Sequence, residues 1–173
     1  MKEEAGVRIS DAGHDERLRL EPILEESFEG WYLRHSRSTL YVIPTVRVAE
    51  VDGKAVGLAM LKSLEGGVGY VYYIAVARAS RRLGLGGRLL DDALEHFRGL
   101  GAEAVYASVE NGEAAALFGS KGFVKTHFGE VVSTYGLLRA LGMYRSMLVV
   151  PGEVLLRLEL QWGQGSSRSS SRA

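Results

Sequence analysis

Residues 69–90 read GYVYYIAVARASRRLGLGGRLL, and the stretch changes character twice. Tyr70 to Ala77 is a run of aromatic, β-branched and small apolar residues, the composition of a buried strand. Arg78 to Arg82 is polar and basic. Gly84-Leu85-Gly86-Gly87 follows, and from Leu85 the apolar positions keep a helical spacing as far as Leu100. Strand, glycine loop and helix together make an anion site out of main chain. The N–H groups of a helix's first turn have no internal partner, and their dipoles sum to a partial positive charge. Glycine removes the Cβ atoms that would hold a phosphate away from them. The stretch predicts a pyrophosphate-sized anion at the start of this helix.

Spacing separates the possible anion sites. A Walker loop requires Gly-Lys-Ser or Gly-Lys-Thr, which does not follow these glycines. A dinucleotide fingerprint fits at Gly84 and Gly86 but fails at Leu89, where the third glycine belongs. Arg81-x-x-Gly84-x-Gly86 fits without exception. Taken alone, it reads equally as a tight strand-to-helix turn. Downstream, VENGEAAALFGSKGF carries Asn111, Ala114, Leu117, Phe118, Lys121, Gly122 and Phe123.

The two motifs, in this order and separation, resemble the acyl-coenzyme A loop and the N-x-x-A-x-x-L-[YF]-x-x-x-G-F motif of the GNAT N-acetyltransferase superfamily. The resemblance runs from about Val7 to Val150. It implies an α/β fold, an α+β mixed sheet of about seven mostly antiparallel strands splayed between the fourth and fifth, with helices on both faces. It implies direct acetyl transfer from acetyl-CoA to an amine: a protein N-terminus, a lysine or a small metabolite. Pantetheine would enter the splay along Ile74, Ala75 and Val76. The N–H groups of Arg82, Leu83, Gly84, Leu85, Gly86 and Gly87 would hold the pyrophosphate, with charge from Arg81 and Arg82. Asn111 and Phe118 would border the cofactor, and Lys121 reads either as facing the nucleotide or as a solvated helix end. No metal is implied.

The resemblance is thinnest at the chemistry. Relatives carry a tyrosine acid where this chain has Phe118, and some carry a glutamate base where it has Tyr106. Tyr70 and Tyr106 are the polar candidates facing the cleft, as holders of a deprotonating water or as amphipathic core tyrosines. Glu50 and Glu110 are further bases, and Tyr135 and Tyr144 further acids. Trp31, Tyr32 and His35 are candidate walls of the acceptor pocket, His35 reading more simply as a solvated residue of a packed arm. A non-catalytic acyl-CoA-binding module and a nucleotide-binding protein of another fold stand as alternatives.

The bulk properties agree with one domain. The 173 residues are 46% hydrophobic and 24% charged, and 21 basic side chains balance 21 acidic ones. That balance gives no electrostatic case for nucleic acid or a membrane surface. There is no cysteine, so disulfides, thiolate metal sites and a cysteinyl intermediate are excluded. No apolar run is long enough for a bilayer and the N-terminal residues lack a signal-peptide core, so a cytoplasmic protein is expected. Residues 1–162 read as the domain and 163–173, GQGSSRSSSRA, as a low-complexity tail.

Along the chain, strands are expected at Val7–Ser10, Thr45–Val51, Ala55–Lys62, Val68–Ala77, Ala104–Val109, Phe123–Phe128 and Tyr144–Val150. Asp52-Gly53 marks a hairpin. Asp11 is the expected helix cap, with helical spacing over Asp15–Phe28 interrupted or restarted at Pro22. Trp31–Leu40 is a short helix or an arm. Helices are also expected from Leu85, with an Arg88–Asp92 pair, and over Gly112–Lys121, with a helical turn near Thr134–Leu141. On the fourth strand, alternation places Tyr70, Tyr72, Ile74 and Val76 on one face. Val154–Trp162 reads as an extra strand with one wet face, extending the sheet or pairing with a second subunit in a homodimer.

Overall fold

A computed structural model describes residues 6–110 and 112–161. Asn111, Trp162 and the expected tail lie outside the described residues. The strands are β1 (Arg8–Asp11), β2 (Thr45–Val51), β3 (Lys54–Leu64), β4 (Val68–Val76), β5 (Ala104–Val109), β6 (Val124–Lys125) and β7 (Val154–Glu159). They form one sheet in the order β1-β2-β3-β4-β5-β7-β6. Every neighbouring pair is antiparallel except β4 and β5, which are parallel. The β2–β3 turn places Asp52 at φ 50° and Gly53 at φ 75°. Two left-handed residues in succession match the twist of the strands they join.

The helices are α1 (Glu21–Ser27), α2 (Gly30–Val42), α3 (Leu85–Gly99), α4 (Glu113–Ser120), α5 (Phe128–Tyr135) and α6 (Leu137–Ser146). The α3 stripe of Leu85, Leu89, Leu90, Ala93, Leu94 and Phe97 is buried against Ala59, Leu61, Val71 and Val105. Each fully buried Leu or Phe in it contributes roughly 1.5–3 kcal/mol of transfer free energy. On the opposite face, α1 and α2 pack Leu24 and Leu40 against Val48 and Met60. Further along that face, α5 and α6 pack Val131, Ala140 and Met143 against Tyr70 and Tyr106. Helices therefore cover both faces of the sheet, as its two apolar sides require. Among the described residues no helix is long and apolar enough to cross a membrane.

Several expectations are corrected. Strict alternation along β4 fails because the β3–β4 register shifts between Met60, opposite Tyr73, and Leu61, opposite Val71. Tyr72 is the extra residue of a bulge, and a bulge reverses the parity beyond it. Ile74 and Val76 therefore pack with Val71 on the α3 face, and Tyr70, Tyr72, Tyr73 and Ala75 on the other. Tyr144–Val150 is not a strand, since α6 runs to Ser146. The seventh strand is Val154–Glu159, seated between β5 and β6 with Leu155 and Leu156 both buried. It is not an outer extension. The sixth strand shrinks to Val124–Lys125, because α5 begins at Phe128 with His127 as its cap.

Two ion-pair assignments also change. Asp92 accepts from Arg47 at both oxygens, Nε at 2.6 Å and a terminal nitrogen at 2.9 Å, instead of pairing with Arg88. Asp11 meets the same guanidinium at 2.8 Å, and the cap of the following 3-10 segment, His14–Leu20, is Gly13 with Glu16. A bidentate partner on β2 outcompetes an exposed neighbour one helical turn away. Pro22 falls in the first turn of α1, where its missing N–H costs nothing.

Candidate functional site

The site begins where the sheet comes apart. β4 pairs with β5 only from Val68 to Val71, matched with Ala104 to Ala107. β4 continues to Val76 bonded to β3 alone, while β5 turns to β7. The Ala77 N–H donates to Val56 of the β3 side at 2.8 Å. Alternation then aims the main-chain groups of Val76 and Ile74 into the gap. The Val76 carbonyl accepts from Arg81 Nε at 3.1 Å.

The gap opens toward the loop after β4. Among the described residues, no acceptor lies within hydrogen-bond reach of the N–H groups from Arg82 through Gly87. Arg82 adopts φ 65° and Gly84 φ 72°, a tight left-handed curl that turns successive N–H groups outward. A Cβ on Gly86 would lie 3.4 Å from the end of the Leu117 side chain of α4, an ordinary contact, so helix packing alone does not require the glycine. Arg81 is folded back as a brace. Besides Val76, its guanidinium donates to the Glu26 carbonyl at 2.7 Å and reaches Ser27 Oγ at 3.4 Å. Arg82 is exposed, 3.6 Å from Glu113. Leu83 is exposed and Leu85 buried. Lys121 is tied to Asp91 at 2.7 Å, beside Gly87. Phe118 is buried, edge-on against Phe123 at 5.0 Å, and has no proton to give.

A cluster of side chains from distant segments lies across the other face. Glu153, just before β7, accepts from Ser108 Oγ of β5 at 2.5 Å and from the Tyr32 hydroxyl of α2 at 2.9 Å. The Val150 N–H adds a longer bond at 3.3 Å. Burial, then Glu153, pushes the Tyr32 phenol well above its ordinary range, and Glu110 adds to this. Tyr32 therefore stays protonated and donates. Tyr73 approaches His35 Nδ1 with its hydroxyl at 2.8 Å, with Thr39 Oγ1 at 3.2 Å and Trp31 stacked on the imidazole at 4.8 Å. Burial lowers the His35 pKa, so this is a packed histidine, not the solvated one expected. Arg17 locks α2 in place by donating to the Leu40 and Ile43 carbonyls at 2.7 and 2.8 Å, groups the helix end leaves unsatisfied.

The sequence candidates separate. Tyr70 and Tyr106 are register partners and both fully buried. The Tyr70 hydroxyl donates to the Leu148 carbonyl at 2.6 Å, and Tyr72 does the same to Ser146, pinning the segment after α6 across the splay. The Tyr106 hydroxyl makes no well-formed hydrogen bond among the described residues, with Tyr135 and Arg157 as its polar neighbours. Burial raises both phenols, so neither is a base near neutral pH. Glu50 is paired with Arg19 at 2.7 Å on the β1–β2 side. Tyr135 lies under Arg139, and Tyr144 packs edge-on against Phe128. Glu153, Ser108 and Tyr73 were missed. No sequence signal singles out Glu153; the β5–β7 register, in which Val154 lies opposite Val109, brings it beside Ser108.

The acetyltransferase (GNAT) family matches residues 10–123, more than half of the 173-residue chain. The chain belongs to the GNAT acetyltransferase family. Solved structures carry the same GNAT fold. The ribosomal-protein-S18-alanine N-acetyltransferase from Escherichia coli aligns with a TM-score of 0.68 at 18% identity, over 94% of this chain and 98% of that one. An IAA acetyltransferase from Bacillus cereus aligns with a TM-score of 0.64 at 20% identity, over 90% of this chain and 100% of that one. An N-acetylglutamate synthase from Neisseria gonorrhoeae, complexed with coenzyme A and N-acetyl-glutamate, aligns with a TM-score of 0.63 at 25% identity, over 92% of this GNAT chain and 36% of that one. No curated protein matches the sequence.

Proposed function

We propose that this protein is an N-acetyltransferase that moves an acetyl group from acetyl-CoA directly to an amine, with Glu153 as the base. The observation that carries the reading is the β4–β5 gap, bordered by a stretch of β4 that no second strand pairs and leading to N–H groups from Arg82 to Gly87 that have no acceptor among the described residues. Those residues fit a pantetheine arm followed by a diphosphate. The coenzyme A complex of the N-acetylglutamate synthase supports that choice of ligand. Ile74, Ala75 and Val76 supply the edge, and Phe118 an apolar wall. Arg81 is a positioning residue that holds the loop to Glu26 and Val76.

Acetyl-CoA, when bound, supplies the activated acetyl group. The chain's task is to deliver a neutral amine, since an alkylammonium loses its proton only near pH ~10. Glu153 is the carboxylate on the open face of the gap. Tyr32 and Ser108 each donate to it, which fixes its oxygens. Oε2 already accepts from Ser108 and Val150, but Oε1 accepts from Tyr32 alone among the described residues and keeps a further lone pair, so the group can still take a proton from an amine or from a water between them. Tyr73, held by His35, is a donor-bearing side chain on the bulged part of β4. Thiol release should be screened with acetyl-CoA against peptides, amino acids, polyamines and aminoglycosides. Release with one amine class is expected. Binding of acetyl-CoA without turnover on any amine would instead leave an acyl-CoA-binding module, and absence of binding would remove both.

A further inference from the structure

A cavity of about 240 Å³ lies beneath α5. Tyr106 of β5 and Arg157 of β7 form its floor, opposite one another in register. Val124, Lys125, Thr126, Glu130 and Thr134 complete the walls. Two polar atoms here are buried with no well-formed hydrogen bond among the described residues, the Tyr106 hydroxyl, on a residue with no exposure, and Arg157 Nε, although Tyr135 lies near both residues. The guanidinium lies 6.0 Å from the Tyr106 ring centre, and one of its terminal nitrogens is taken by Glu159 at 2.7 Å.

Buried donors left unmade are costly, and an arginine nitrogen can only donate. What both atoms lack is an acceptor. Lys125 adds positive charge at the opening. The Glu130 carboxylate, held by Thr126 Oγ1 at 2.5 Å, adds one negative charge and so opposes a doubly charged anion. We propose that this cavity binds a small monocarboxylate, its oxygens accepting from Tyr106 and Arg157. The carboxylate has two possible sources. Tyr106 and Ser108 are two residues apart on one face of β5, about 7 Å, so it can belong to the amine acceptor whose nitrogen meets Glu153. It can also belong to a separate ligand.

Calorimetric titration of the full chain without acetyl-CoA tests the site with butyrate, butyramide and inorganic phosphate. Butyrate should bind, with the amide and phosphate weaker by about tenfold or more. Tyr106→Phe keeps the ring and should weaken butyrate by about tenfold, and Arg157→Gln by more. Thermal melts show whether Arg157→Gln folds, and Tyr106→Phe carries the test if it does not. Equal binding of butyrate and butyramide, phosphate binding as tight as butyrate, absence of butyrate binding, or wild-type affinity in Tyr106→Phe would each overturn the proposal. In turnover assays, competition between butyrate and the amine assigns the carboxylate to the acceptor, and inhibition without competition assigns it to a separate ligand. Only this last arm rests on the proposed function; the titrations stand without it.

Discussion

The two sides of the β4–β5 gap are made of different material. The side facing the glycine loop is main chain: a strand edge and a curl of N–H groups, contributed by residues 74–87 in one unbroken run. The opposite side is made of side chains from four segments: Tyr32, Tyr73, Ser108 and Glu153. The first can be built locally, because strand, curl and helix fix one another's N–H directions. The second exists only after the sheet has closed and set the β5–β7 register. Substitutions on the two sides should therefore fail in different ways.

The sharpest division is between Glu153 and the loop. Glu153→Gln keeps the shape and the bond donated to its remaining oxygen, the other hydroxyl having to turn and accept from the new NH2, but removes the base. It should lower kcat by about 10²–10⁴-fold with acetyl-CoA affinity unchanged. A kcat within a few-fold of wild type would return the role to another group, such as Glu110, which also acts on Tyr32. Arg81→Ala should do the reverse. It frees the Val76 and Glu26 carbonyls and lets the loop move, so KM for acetyl-CoA should rise about tenfold while kcat changes little. If kcat falls instead and KM stays, the loop is not where the cofactor is held.

This division also explains what could be read without coordinates. The loop, α3 and the β2–β3 hairpin are legible because short-range rules decide them: left-handed positions, glycine spacing and one apolar stripe. The β4 faces were misread from the same residues, because a one-residue bulge opposite Met60 and Leu61 is a property of strand pairing and leaves no mark on the alternation of Tyr72 and Tyr73. α6 was misread because Tyr144–Val150 is apolar enough for a strand, and its fate depends on Tyr70 and Tyr72 binding the Leu148 and Ser146 carbonyls. Glu153 is not legible for the same reason: its partners are Tyr32 and Ser108, far away in sequence.

Gly69 tests the main-chain side through stability. A Cβ there would come within 2.5–2.7 Å of the Phe97 ring of α3, too close for any rotamer to relieve cheaply. Gly69→Ala should cost about 1–3 kcal/mol by overpacking, a fall of roughly 2–12 °C in Tm. Pairing it with Phe97→Leu should recover part of the loss. An unchanged Tm would mean that α3 sits farther from β4 than this packing requires.

The smallest expected effect concerns the side-chain half, at His35. Burial holds its folded pKa below the ordinary value of about 6.5. Tyr73, Thr39 and Trp31 surround the ring, and none carries a negative charge to stabilise the imidazolium. The unfolded chain then binds the proton more readily than the folded one. The stabilisation is complete above the unfolded pKa and is lost as the pH falls from there through the lowered folded value. Comparing Tm at about pH 8 and about pH 5 for wild type and His35→Gln isolates this contribution, because the other carboxylates and histidines titrate in both proteins. The wild-type protein should lose a few degrees more than the variant on acidification. Equal losses would show that Tyr73 does not depend on a neutral His35. The contact between α2 and the bulge of β4 would then be held by Phe28, edge-on against Tyr73 at 5.1 Å, and not by the imidazole.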